Sequence, residues 1–304
     1  MSADRPVVIL AGGTGGAKLA RGMLDVVGER LVVIANTGDD VEIYGAYVSP
    51  DPDLVTFWLA DRIDERGWGL DRDSFHAMEQ LRELGVDVWF NLGDRDLAIC
   101  LERARMLREG ERPTAAQSRI VAALGVAATV LPMSDQPVRT AVLAGGRWWP
   151  LQEFMIRHGG AGPVRDVEFR HARAARPTTE VLEAIDCAQV IVIGPSNPVI
   201  SVGPILAVPG LREAIVASSA PVVAVSPLVE GRVLKGPTAA CLEWAGHAAD
   251  SDGIAAIYEP LIDGLVADSA AASVTTLQTD VLLDTPERRR SVAAATLAFA
   301  TSLA

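Results

Sequence analysis

Positive charge is scarce in this sequence. Lys18 and Lys235 are its only lysines, and 27 basic residues face 39 acidic ones across 304 positions, a formal net charge of −12. Surfaces that bind nucleic acid are built from excess Lys and Arg, so this balance excludes that class of partner. A single nucleotide needs only local positive potential and stays open. Cysteine is nearly missing as well: Cys100, Cys187 and Cys241 are odd in number, far apart and without metal-ligand spacing. That argues against a disulfide framework and predicts buried thiols in a reducing compartment. The four histidines, His76, His158, His171 and His247, fall into no metal spacing either and read as surface or capping residues. No uncharged apolar run is long enough to cross a bilayer. Residues 1–6 lead into a strand with no basic segment or cleavable apolar stretch, so the chain reads as cytoplasmic, without a membrane partner.

What is present is a globular composition, 49% hydrophobic and 22% charged, long enough for a large core. No repeat, low-complexity tract or Ser/Gly linker divides it, which predicts one domain over residues 1–304 with a small inserted lobe at about 138–176.

The chain is organised around Val7-Val8-Ile9-Leu10-Ala11-Gly12-Gly13-Thr14-Gly15-Gly16-Ala17-Lys18-Leu19. Its apolar run reads as a buried parallel strand, the glycines as a tight turn, and Leu19, Met23, Leu24 and Val27 as the core face of a helix. Such a turn suits a phosphate, because glycines admit close backbone approach and the helix start favours negative charge. The match to known phosphate motifs is incomplete. Ala17 separates Gly16 from Lys18, Leu19 stands where a P-loop hydroxyl belongs, and Lys18 occupies the last glycine position of a dinucleotide fingerprint. A merely tight strand-to-helix turn is the plain alternative, and one of the two lysines falling in this turn weighs against it.

Leu31–Ala35 is a second apolar strand, tipped by Asn36-Thr37-Gly38-Asp39-Asp40, where paired acids suit a metal or a ribose hydroxyl as well as an ordinary turn. In Ser49-Pro50-Asp51-Pro52-Asp53, Asp53 is the candidate ligand for a metal or substrate hydroxyl and Asp51 the candidate cap, with a helix running to about Ile63. Helices are predicted over 71–84, from about Asp94, from Pro113 to about Leu124, from about Leu211, from Lys235-Gly236-Pro237-Thr238 and over 287–300. Strands are predicted at 128–131, 190–193, 221–225, 263–267 and 274–277. Trp89 and Phe90 suit either a ring-stacking wall or the core. Pro132-Met133-Ser134-Asp135 with Arg139, and Gly194-Pro195-Ser196-Asn197, are further polar strand tips. Alternating strands and helices with polar clusters at strand ends predict a three-layer, Rossmann-like α/β fold with a mainly parallel sheet and one shared crevice. Its residues suit phosphoanhydride chemistry, which asks for positioning and charge neutralisation.

Here the sequence resembles the 2-phospho-L-lactate transferases of coenzyme F420 biosynthesis. The resemblance spans nearly the whole chain and rests on six ordered motifs: Leu-Ala-Gly-Gly-Thr-Gly-Gly-Ala-Lys at 10–18, Asn-Thr-Gly-Asp-Asp at 36–40, Ser-Pro-Asp-Pro-Asp at 49–53, Leu-Gly-Asp-Arg-Asp at 92–96, Pro-Met-Ser-Asp at 132–135 and Gly-Pro-Ser-Asn-Pro at 194–198. It implies a Mg²⁺-dependent homodimeric enzyme that moves a phospho-three-carbon-acid unit from a GDP-activated donor to the ribityl hydroxyl of the deazaflavin Fo, releasing GMP. By this resemblance Gly12, Gly13, Thr14, Gly15, Gly16, Lys18, Gly194, Ser196 and Asn197 hold the nucleotide; Asp53, Asn91 and Asp94 meet Fo; Asp40 and Asp53 bind the metal; and Asp53 is catalytic, orienting the hydroxyl or taking its proton. Asn91 departs from the family, whose members often carry lysine there, which removes a positive charge from the implied Fo site. Lactate, enolpyruvate and glycerate differ by too few atoms to separate by sequence. The rival from another class is a non-catalytic nucleotide-sugar-binding regulator on a related fold. A nicotinamide dehydrogenase is disfavoured by the failed fingerprint.

Overall fold

A computed structural model describes residues 5–304; the first four residues, which begin the N-terminal segment considered above, lie outside it. Seven strands form one sheet: β1 (Val7–Ala11), β2 (Leu31–Ala35), β3 (Thr129–Pro132), β4 (Val190–Ile193), β5 (Val222–Val225), β6 (Gly264–Ala267) and β7 (Thr275–Gln278). Their spatial order is β7-β6-β5-β4-β1-β2-β3 and every pairing is parallel. The expected mainly parallel sheet is therefore wholly parallel.

Side chains alternate across a strand, and here both faces are apolar. Val8, Leu10, Ile191 and Ile193 enter one core with Ile185, Leu211, Ile215 and Tyr258, while Val7, Ile9, Val33 and Val192 enter the other. The second core is closed by α1 (Gly13–Val27), α2 (Pro50–Leu59) and the C-terminal helix Pro286–Ser302. Leu19, Met23 and Val27 are buried there and Leu24 packs at the margin, giving the three layers expected from the sequence. Each fully buried aliphatic side chain of this kind contributes about 1.5–3 kcal/mol.

The chain leaves the sheet twice at length. Between β2 and β3 it forms a hairpin (Val41–Ile43 with Ala46–Val48), then α2, α3 (His76–Glu83), α4 (Asp94–Arg108) and α5 (Pro113–Ala123). Between β3 and β4, Arg139–Ala144 pairs with Arg147–Pro150 and Asp166–Arg170 in a separate antiparallel sheet. Several boundaries shift from expectation. The helix expected over 71–84 starts only at His76, because Arg72 has φ +51 and Asp73 is committed to capping the next helix. The second helix stops at Leu59 rather than Ile63, where Asp61 turns the chain with φ +53. Cys187 is exposed at the end of helix Thr179–Asp186, unlike buried Cys100 and Cys241. Among the described residues no single helix is long and apolar enough to cross a membrane.

The sheet order reverses between β1 and β4. Ligands of open α/β sheets bind beyond the carboxyl ends of the strands at such a switch point. The loops after β1, β2 and β4 all emerge at that edge.

Candidate functional site

The glycine segment is more compact than a free loop. Helix α1 begins at Gly13, directly after β1, with Gly12 as its N-cap. Its glycines are required by approach of the loop after β4: a Cβ on Gly15 would lie 1.9 Å from the Pro195 carbonyl oxygen, and one on Gly16 2.7 Å from Ser196 Oγ. The Gly16 amide donates to Ser196 Oγ at 3.0 Å and the Gly194 amide to the Leu10 carbonyl at 3.0 Å. Gly12–Gly16, Gly194 and Ser196 are thereby one unit, with Thr14 and Lys18 half-buried on α1. Asn197 faces elsewhere. Its Oδ1 accepts from the Val199 and Ile200 amides, capping the turn at Pro198–Val202.

Acids from two loops close on this unit. Asp51, at the start of α2, accepts from the Gly13 amide at 2.6 Å and from Asn36 Nδ2 at 2.8 Å, so it caps α1 across the crevice as well as beginning its own helix. Asn36 Nδ2 also reaches Asp39 Oδ1 at 3.4 Å, and Gln152 from the antiparallel lobe donates to Asp39 Oδ2 at 2.7 Å. Asp40 accepts from Ser49 Oγ at 2.7 Å and Tyr47 Oη at 2.9 Å, and Tyr47 Oη accepts from Arg139 Nη2 at 3.1 Å. All three carboxylates are buried. Burial pushes Asp40 up to about 7, against the pull of Arg139, and pushes Asp51 up to about 6, against hydrogen bonds from Asn36 and Gly13. Asp39 is also raised well above its ordinary value, by burial and then by the charges of Asp51 and Asp40. Three desolvated carboxylates with few counter-charges leave negative charge here that a cation would relieve.

Asp53 stands two residues on from Asp51 in α2 and in different company. Arg103 of α4 grips both its oxygens, Nη1 to Oδ2 at 2.9 Å and Nη2 to Oδ1, and both residues are about 3% exposed. Arg103 also donates to the Tyr47 carbonyl at 3.3 Å and Gln117 Oε1 at 3.2 Å. Beside the pair lie Asp96 and Cys100, whose ligand atoms fall within 4.8 Å of each other and of Asp53. Burial and the Asp53 charge push Asp96 up to about 7. A cavity of about 240 Å³ opens against Asp40, Tyr47, Arg103, Ser134 and Arg139. Thr37 also lines it and carries a buried hydroxyl without a partner. The polar tip of β3 thus joins that of β2 around this cavity.

Asp94 and Asn91, expected on the Fo side, are not hydrogen-bonded into this network. Asp94, first residue of α4, accepts from Ser74 Oγ and from the His76 and Ala77 amides, so it caps α3, and these bonds hold its carboxyl below the usual range. Asn91 accepts from Arg82 Nη2 at 2.8 Å, which brings a guanidinium beside the position where the resemblance expects a lysine. Trp89 meets Phe90 edge to face and lies under Arg157, while Phe90 packs into the small core of the hairpin and α4. Arg103 escaped sequence reading. Its spacing from Cys100 and Ala104 puts a charge on the inward face of α4, and a buried charge demands a partner.

Comparison with known proteins bears on the same elements. A family model described as 2-phospho-L-lactate transferase CofD matches residues 7–297. The chain is 36% identical over 264 residues to the 2-phospho-L-lactate transferase of Methanosarcina mazei, covering 86% of each. It is 41% identical over 273 residues to the phosphoenolpyruvate transferase of Kitasatospora aureofaciens, covering 87% of this chain and 85% of that one. A UPF0052 family protein from Bacillus halodurans shares the fold, with TM-score 0.64 and 20% identity over 98% of this chain and 99% of that one.

Proposed function

Because this chain belongs to the 2-phospho-L-lactate transferase CofD family, we propose that it moves a phospho-three-carbon-acid unit from a GDP-activated donor to the ribityl hydroxyl of Fo, in coenzyme F420 biosynthesis. The observation that carries the reading is the hydrogen-bonded junction at the β1/β4 switch point, where Asp51 bridges the glycine unit to Asn36, which in turn reaches Asp39. In the reaction the Fo hydroxyl oxygen bonds to the phosphorus bearing the acid unit, the anhydride bond to the guanylyl phosphate breaks, and GMP departs with that electron pair.

Gly12–Gly16, Gly194 and Ser196 offer a close-packed edge for the nucleotide, and Lys18 with Arg139 supplies positive charge. Asn197 orders the loop that carries Ser196. Asp39, Asp40 and Asp51 are the acids we assign to Mg²⁺, although the ligand atoms that already lie within 4.8 Å of one another are those of Asp53, Asp96 and Cys100; the ion would neutralise phosphate charge and polarise the phosphoryl oxygens. Asp53 is the residue we assign to the acceptor side. Arg103 fixes its orientation and each of its oxygens keeps a lone pair for a hydroxyl, which suits orienting the nucleophile or accepting its proton. Asn91, with Arg82 beside it, and Asp94, through its hold on α3, serve the Fo side. The enzyme would act as a homodimer in the cytoplasm on these small molecules.

Incubation of purified protein with Fo, Mg²⁺ and GDP-activated lactate, enolpyruvate or glycerate tests this. The expected result is GMP with a deazaflavin heavier by the phospho-acid unit. No product with any of the three overturns it, and binding of a UDP-sugar without binding of Fo favours a regulator instead.

A further inference from the structure

Behind Asp53, buried polar side chains from three helices close a ring of hydrogen bonds, and two of them, Thr56 and Gln117, have no part in the chemistry proposed above. Thr56 is 0% exposed, Gln117 2%, and Arg103 and Asp53 3% each. Thr56 Oγ1 of α2 donates to the Pro52 carbonyl at 2.7 Å, Gln117 Nε2 of α5 donates to Thr56 Oγ1 at 2.9 Å, and Gln117 Oε1 accepts from Arg103 Nη2 of α4 at 3.2 Å. Arg103 then grips Asp53, the residue after Pro52, so the ring starts and ends on one turn of α2.

Its direction is forced. A guanidinium only donates and a carbonyl only accepts, so the Gln117 amide presents its oxygen to Arg103 and its nitrogen to Thr56, whose own proton goes to Pro52. The N–H groups on the two terminal nitrogens of Arg103 are all engaged, by both Asp53 oxygens, the Tyr47 carbonyl and Gln117. Gln117 therefore sets the rotation of the guanidinium plane. A two-point contact carries that rotation to the Asp53 carboxylate.

Stability alone does not ask for this ring. Buried polar groups cost free energy unless they are fully paired, and apolar side chains of the same shape fill such space at similar stability. Arg103 and Gln117 both line the cavity at Asp40, where solvent could meet the last Arg103 N–H without Gln117. What the ring adds is a single allowed orientation.

We infer that Gln117 and Thr56 are positioning residues that act through Arg103 to fix the plane of the Asp53 carboxylate. The inference rests on the reading of Asp53 as the group that meets the acceptor hydroxyl, and extends it to two residues which that reading does not use.

Gln117→Met, Thr56→Val and the two combined, each close to the original volume, test it. Thr56→Val strands the Gln117 amide and should lower the urea midpoint, and adding Gln117→Met should return part of that loss, because both partners are then apolar. The transfer rate should not return with it. Gln117→Met and the double variant should each lose about tenfold in kcat, with the KM of donor and acceptor within about twofold of the parent. Independently of activity, the guanidinium protons of Arg103, identified in NMR spectra by their absence from Arg103→Lys, should exchange faster with solvent in Gln117→Met and in the double variant. Unaltered exchange overturns the positioning role, as does a kcat that recovers with stability or a loss confined to KM. Faster exchange in a protein that modifies no acceptor upholds the hold on Arg103 while the transferase reading fails. Transfer at the parent's kcat in all three variants does the reverse.

Discussion

At the scale of single residues, the buried pair of Arg103 and Asp53 illustrates how a charge can be placed without being free. Removing one member of a buried, hydrogen-bonded pair strands the other, at about 3–5 kcal/mol. Arg103→Ala should lower stability in urea unfolding by that order, and Arg103→Lys should recover part of it. Asp53→Asn keeps the volume but loses the charge, so it should depress kcat for transfer by more than it raises the KM of either substrate. Gly15 is constrained differently. A methyl group there meets the Pro195 carbonyl at 1.9 Å, and overpacking of a rigid backbone contact costs about 1–3 kcal/mol or more. Gly15→Ala should therefore lower the urea midpoint and weaken nucleotide binding together, because the same contact joins the β1 and β4 loops.

At the scale of elements, α3 and α4 cap one another. Asp94 at the start of α4 receives the first amides of α3, and Asp73 just before α3 receives the amides of Arg95 and Asp96. Asp94→Ala should expose the α3 amides to hydrogen exchange before the rest of the protein opens, while Asp94→Ser, which can still cap, protects them. The acid-rich tip of β2 couples stability to pH. The carboxyls of Asp40 and Asp51 bind protons more tightly when folded, at about 7 and about 6 against an ordinary 3.8, chiefly through burial. A group raised in this way contributes stability that is complete below its unfolded value and is lost as pH rises through its folded value. Metal-free protein should accordingly lose thermal stability between about pH 4 and pH 7, and Mg²⁺ should flatten the decline by stabilising the ionised acids. A melting temperature independent of pH over that range would contradict the electrostatic account.

At the scale of the whole molecule, one ligand would contact loops from both halves of the sheet. A ligand that binds only the folded state stabilises it by mass action, about 2.7 kcal/mol at a concentration one hundred times its dissociation constant. GDP with Mg²⁺ should raise the melting temperature, and the increment should shrink in Gly15→Ala.

Much of this architecture was legible in the chain itself. Unbroken apolar runs such as Val7–Ala11, Leu31–Ala35 and Val190–Ile193, short and bounded by turn residues, read as strands covered on both faces, so parallel pairing, three layers and the polar strand tips followed from local pattern. Boundaries such as His76 and Leu59 were not legible, because remote capping by Asp94 and positive φ at Asp61 lie outside any local window. The same limit applied to the site. Sequence singled out Asp40, Asp51, Asp53 and Lys18 as chemically apt residues, since their types and neighbours carry that information. Tertiary structure alone decided that Asp53 answers Arg103, that Asp51 reaches the Gly13 amide, and that Lys18 shares Trp58 with Arg289. Charge pairing depends on distances through space between segments tens to hundreds of residues apart, and periodicity along the chain does not encode those distances.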